Sequence, residues 1–186
     1  LGNVHIARKS YEKAYGIDRQ ALEILERLGG EAYQRAALYN NMSAALRELG
    51  RTKEAQDMAL RAIEIIRELP ECMGELATSY TNLGQAQAKE YAFSDARQNL
   101  MHALQLYENS SGDRDIHYAN AVYALGNLDD AQGYYENAEE MYIRAAKLIE
   151  RDFGHTCDYD QIMEDLQRVR RKVKKVEGNG IIPEFL

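Results

Sequence analysis

The densest group of chemically able residues in this chain is His155-Thr156-Cys157-Asp158. An imidazole, a thiol and a carboxylate within four positions could ligate a transition metal, or form a thiolate nucleophile beside a base. Either use needs partners from elsewhere, because catalysis requires convergent groups. Asp115 and His117 are the candidates, one repeat earlier and on the same edge of the array derived below. The simpler reading is a polar loop in which Asp158 caps a final helix. No glycine-rich phosphate loop, HExxH, GxSxG or CxxC occurs in the sequence. The chain is therefore not expected to be an enzyme, and no cofactor or metal is expected.

A second cluster is basic. Residues 167–177 carry six positive charges and one negative, in a chain whose net charge is −7. The run could attract an acidic partner, or it could be the solvated face of a terminal helix that complements an acidic body. It contains no aromatic residue, so base stacking has no support, and the acidic balance argues against nucleic-acid binding. Cys72 and Cys157 make no disulfide framework, no charged-then-apolar leader opens the sequence, and no apolar run reaches membrane-spanning length. A reducing cytoplasm is the expected setting.

What must position these groups is a repeat. Alanines seven apart recur as Ala14/Ala21, Ala55/Ala62, Ala96/Ala103 and Ala138/Ala145, at steps of 41, 41 and 42 residues. Thirteen residues before each pair stands Leu1-Gly2, Met42-Ser43, Leu83-Gly84 or Leu125-Gly126. In the last full unit Ala119, Val122, Leu125 and Leu128 make one helical stripe. After Gly133, Tyr135, Ala138, Met141, Tyr142, Ala145 and Leu148 make a second. Each unit is thus two helices meeting at small residues, and neighbouring units must stack to bury what one hairpin leaves open. Only two prolines and 13 glycines against 24 alanines agree with closely packed helices.

Tyr118-Ala-Asn-Ala-Val-Tyr-Ala-Leu-Gly126, Gly133-Tyr-Tyr-Glu-Asn-Ala138 and Tyr142-Ile-Arg-Ala145 together resemble the tetratricopeptide repeat. The period exceeds the usual length of about 34 residues. It is similar to the longer variety of kinesin light chains and many bacterial relatives, and the chain reads as a fragment of such a bacterial protein. Ser43 departs from the pattern where glycine is usual, and Thr52 where an aromatic is usual. The resemblance implies an all-α fold: a right-handed superhelical solenoid of antiparallel helix pairs with a C-terminal capping helix.

One repeat domain is expected over 1–177. Its units are 1–30 (lacking its opening half-helix, with a second helix from Ser10 to Leu28), 31–70, 71–113 and 114–154, with a capping helix over 158–177 and a tail over 178–186. Tyr11, Tyr39, Tyr80, Phe93, Tyr135 and Tyr142 fall at packing positions.

In the resembled family the first helices line a concave groove. Counting from the Leu-Gly step assigns to it Asn3, Asn40, Arg47, Thr81, Gln85, Lys89, Asn120, Tyr123 and Asn127. Carboxamides both donate and accept, as an extended peptide backbone requires. The expected function is a non-catalytic scaffold that binds a protein or an extended peptide, with no nucleic acid and no membrane. Two alternatives are a peptide-sensing regulatory segment of a larger signalling protein, and a homo-oligomer assembling through the truncated N-terminal end.

Overall fold

The computed structural model describes residues 2–110 and 115–179, with side chains over 8–110 and 115–175. Among these residues the chain is all α: α1 (Gly2–Leu28), α2 (Ala32–Glu48), α3 (Thr52–Ile66), α4 (Met73–Lys89), α5 (Phe93–Ser110), α6 (Ile116–Gln132), α7 (Tyr135–Phe153) and α8 (Cys157–Asn179). A 3-10 turn, Pro70–Cys72, leads into α4. The contacts divide the chain into two compact units, residues 1–112 and 113–186. In the first, α2 pairs with α3 and α4 with α5, α4 also packs on α3, and α1 packs on α2. In the second, α6 pairs with α7 and α8 packs on α7.

The alanine pairs are the seams of these hairpins. Ala55, Ala62, Ala96, Ala103, Ala138 and Ala145 are completely buried. The facing step on the first helix must be small for the same reason. A Cβ added to Gly84 would lie 2.8 Å from Leu100 Cγ and 2.9 Å from the carbonyl oxygen of Ala96. One added to Gly126 would lie 2.7 Å from the Tyr142 ring. Ser43 replaces glycine without penalty because its hydroxyl donates to the Ala55 carbonyl at 2.7 Å, so the extra atom is buried but satisfied. Thr52, the other departure, donates its hydroxyl to the Glu90 carboxylate.

Each hairpin turn needs one left-handed residue. Gly50 (φ 77°) and Gly133 (φ 82°) supply it before α3 and α7. Before α5 the same place is taken by Tyr91 at φ 62°, where a Cβ is strained.

Two boundaries differ from the sequence expectation. α1 is continuous from Gly2 to Leu28, with no break before a second helix at Ser10. No proline falls in this stretch, and Gly16 stays helical. The final helix runs to Asn179, past Gly178. The expectations for Gly180–Leu186 and for the side chain of Asn3 lie outside the described residues.

Of the packing aromatics, Tyr39 and Tyr142 are buried, Tyr80, Phe93 and Tyr135 are half-buried, and Tyr11 is exposed. Tyr107 and Tyr118, which the repeat pattern does not single out, are among the most deeply buried side chains.

Candidate functional site

The His155–Asp158 segment is the turn between α7 and α8. His155 stacks on Tyr159, with ring centroids 4.3 Å apart, and its Nε2 lies 3.2 Å from Glu150 Oε1. The cap of α8 is Thr156, not Asp158: its hydroxyl oxygen accepts the Tyr159 N–H at 3.2 Å. Helix α8 therefore begins one residue earlier than expected, and Cys157 is exposed at its first position. Asp115 does the same work for α6, accepting the His117 N–H at 2.8 Å. His155, Thr156 and Asp115 are thus used where they stand, and among the described residues no cluster could hold a metal ion. The other cysteine, Cys72, is buried. Desolvation, reinforced by the charges of Glu71 and Glu75, raises its thiol pKa and keeps it protonated.

The first-helix residues separate into two kinds. In the first unit Asn40 is buried, and its Nδ2 donates to the Glu75 carbonyl at 3.3 Å, tying α2 to α4. Asn82 returns the link by donating to the Asn40 carbonyl at 3.2 Å. Among the described residues the buried Oδ1 of Asn40 has no hydrogen-bond partner. Thr81 is buried and donates to the Ala77 carbonyl within its own helix, 2.9 Å away. Arg47 is half-buried and clasps Glu48 Oε1 through Nε and Nη2, at 3.1 and 2.9 Å. Gln85 is half-buried and Lys89 exposed, one turn apart on α4, and among the described residues neither side chain has a hydrogen-bond or ion-pair partner.

In the second unit α8 occupies the face of α6 that carries Tyr123 and Asp130. Tyr123 donates its hydroxyl to Asp165, which Arg168 also binds and which is only 7% exposed at its side chain. Asp130, 10% exposed at its side chain, is held by Arg168 Nη2 at 3.0 Å and by the Lys172 ammonium. Asn127 accepts from the Tyr142 hydroxyl at 2.7 Å. Burial, then the hydrogen bond to Asp165, pushes the Tyr123 phenol well above its ordinary pKa. Burial and the charges of Asp130 and Asp165 do the same to Tyr142. For Arg168 burial works against the charge, but its bonds to Asp130 and the charge of Asp165 prevail and raise its pKa. Asn120 is half-buried and outside this network.

The basic run is thereby divided. Arg168, Lys172 and Arg170, which meets Glu139 at 2.8 Å, fasten α8 to its own unit, while Arg171, Lys174 and Lys175 are exposed.

Residues 1–68, 76–117 and 119–152 each match a family profile described as tetratricopeptide repeat. The chain is a tetratricopeptide repeat protein. No curated protein matches the sequence. Among solved structures it is similar to BtubC (BKLC) from P. vanneervenii, with a TM-score of 0.71 at 19% identity over 95% of this chain and 78% of that one. It is also similar to the apo form of RapI, with a TM-score of 0.67 at 18% identity over 90% of this chain and 45% of that one. These likenesses establish the fold: helices in sequential antiparallel pairs, with a kinesin-light-chain-like relative among the matches.

Tetratricopeptide repeats are generally protein-binding scaffolds, and such domains are typically non-catalytic. Among the described residues of this tetratricopeptide repeat protein no helix is long and apolar enough to cross a membrane.

Proposed function

We propose that this protein is a peptide-binding scaffold whose recognition residues are the first-helix side chains not consumed by internal bonds. In the first unit these are Gln85 and Lys89 on α4. In the second it is Asn120. The observation that carries the reading is the pair Gln85–Lys89. A carboxamide and an ammonium lie one helical turn apart on a first helix, with no hydrogen bond or ion pair to any other described residue. The carboxamide can meet a peptide's backbone groups, and the ammonium can pair with a carboxylate side chain or terminus. Asn40 and Tyr123 act one level down, tying α2 to α4 and α6 to α8.

The test begins with selection of peptides from a displayed library against the 186-residue chain, followed by affinity measurements on the winners. Lys89→Glu is expected to weaken a selected acidic peptide by about tenfold or more, and Gln85→Ala by about fivefold, with melting midpoints unchanged. Selected peptides that bind both variants as tightly as the parent would remove the first-helix face as the binding surface.

A further inference from the structure

The second helices turn a face outward, and on α3 and α7 that face is charged. On α3 its exposed residues are Asp57, Leu60, Arg61 and Glu64, and on α7 Glu140, Arg144 and Lys147 are exposed beside Ile143. Solvated helix faces are ordinarily of this kind. The same positions of α5, 41 residues after those of α3, hold Gln98, Met101, His102 and Gln105. All four are exposed, and where α3 has charges α5 has carboxamides and an imidazole. Residues 98, 101, 102 and 105 step by three and four, so they share one side of the helix.

The exchange of charges coincides with a cavity. Gln98, Asn99, Met101, His102 and Gln105 line an open cavity of about 610 Å³ together with Tyr80 of α4. Ligand sites typically measure about 300–1,000 Å³. The Tyr80 and His102 rings meet edge to face with centroids 4.5 Å apart, which holds the imidazole at the cavity wall. Met101 is 53% exposed and offers an adaptable apolar contact. Among the described residues the side chains of Gln98 and Gln105 have no hydrogen-bond partner. Seven residues of helix set them about 10.5 Å apart along the axis.

The lining decides the chemistry of an occupant. It has no guanidinium or ammonium to receive a phosphate or an acidic segment, and no carboxylate to receive a basic one. A charged segment would lose water there and gain no counter-charge. A carboxamide, in contrast, matches a peptide amide, donor to acceptor and acceptor to donor. One lining residue already makes an amide-to-amide bond: Asn99 Nδ2 donates to Gln87 Oε1 at 2.7 Å.

We propose that the outward face of α5 is itself a docking site, and that it takes an extended, uncharged peptide segment of a partner protein. Gln98 and Gln105 bond to backbone amides of the segment, His102 bonds to a group between them, and an apolar side chain of the segment lies on Met101. The site is on a second helix and uses none of the first-helix residues, so it is independent of Gln85 and Lys89.

The probe is a displayed library of short peptides built only from uncharged residues, selected against the full 186-residue chain. The winners are synthesised and measured by fluorescence anisotropy, and saturable binding is expected. Gln98→Ala and Gln105→Ala should each weaken it about fivefold, and Met101→Glu about tenfold or more. A further variant carries Gln98→Asp, His102→Arg and Gln105→Glu together, which writes the face of α3 onto α5. The fold accepts that face on α3, so the melting midpoint should hold while binding is lost. Both glutamines are exposed, so the single changes carry the test should the triple variant melt early. Leu60→Glu alters the equivalent apolar residue of α3 and should leave the affinity unchanged, as should Gln85→Ala and Lys89→Glu. Failure to recover a saturable binder, or binding indifferent to the glutamine and triple changes, overturns the proposal. So does equal sensitivity to Leu60→Glu, which would mark general adhesion to exposed apolar residues. Peptides released by Lys89→Glu but not by the triple change overturn it while leaving the first-helix reading standing.

Discussion

Gly84→Ala adds a single methyl group at a tight seam between α4 and α5. Its carbon would sit 2.8 Å from Leu100 Cγ and 2.9 Å from the Ala96 carbonyl oxygen, where carbon pairs prefer about 3.5–4.0 Å. Leu100 is completely buried and the carbonyl belongs to a helix, so neither can retreat alone. Relief requires α4 and α5 to separate, which opens the contacts of Ala96 and Ala103 as well. Overpacking of this kind costs about 1–3 kcal/mol. Alanine returns about 1 kcal/mol of helix propensity over glycine. The expected net loss is about 0–2 kcal/mol, a fall in melting midpoint of up to about 8 °C for a chain of this size.

Gly16→Ala is the matched control. Gly16 is also inside a helix, but its added carbon meets nothing within 4 Å. Only the propensity gain remains there, and the midpoint should rise slightly. Urea and thermal melts of the two variants, followed by circular dichroism, make the comparison. If Gly84→Ala rises as Gly16→Ala does, the two helices are not in the close contact that the alanine seam requires, and the packing argument fails.

Tyr91→Gly should stabilise the protein by about 1 kcal/mol, because the left-handed turn before α5 would then carry the residue its counterparts carry; an unchanged or lower melting midpoint refutes this. Asp165→Ala should cost about 2 kcal/mol, since Tyr123 and Arg168 both lose their acceptor, and amide exchange should quicken in α8 and α6. The raised phenols of Tyr123 and Tyr142 set an alkaline limit. The folded state keeps their protons while the unfolded state releases them near pH 10, so stability is complete below about pH 10 and falls above it. Tyrosinate absorbance should accordingly show a late phase coincident with unfolding. Tyr123→Phe together with Tyr142→Phe should remove that phase, and a late phase that survives both changes contradicts the assignment.

The alanine period made the hairpins legible because it reports a distance: only where two helix backbones nearly touch does one side chain size recur at fixed intervals. The site was less legible because a carboxamide has one chemistry for two audiences. Asn40 offers its amide to the Glu75 carbonyl of its own chain in the way it would to a bound peptide, and composition cannot tell the two apart. A signal was available in residue types one period apart. Tyr123 with Asp165, and Asp130 with Lys172, are complementary pairs separated by 42 residues, and the structure joins both. Read that way, the basic run of α8 is in part the other half of an ion network whose first half lies in α6. The unbroken course of α1 was hidden for a different reason. The repeat predicts where a turn should fall, but a turn needs a breaking residue as well as a partner helix, and residues 3–15 contain neither proline nor glycine.

The bonds that link one first helix to the next, Asn82 to Asn40, Tyr123 to Asp165 and Lys172 to Asp130, each span 42 residues. That interval is also a schedule. A ribosome adding about 5–20 residues per second delivers the second member of each pair some 2–8 s after the first. Helix formation and hairpin closure take microseconds, so each new helix finds its seat already built as it emerges. The polypeptide never has to wait for a distant strand or a far terminus before burying what it has made. The alanine seams of α3, α5 and α7 are exposed for seconds at most, one repeat at a time.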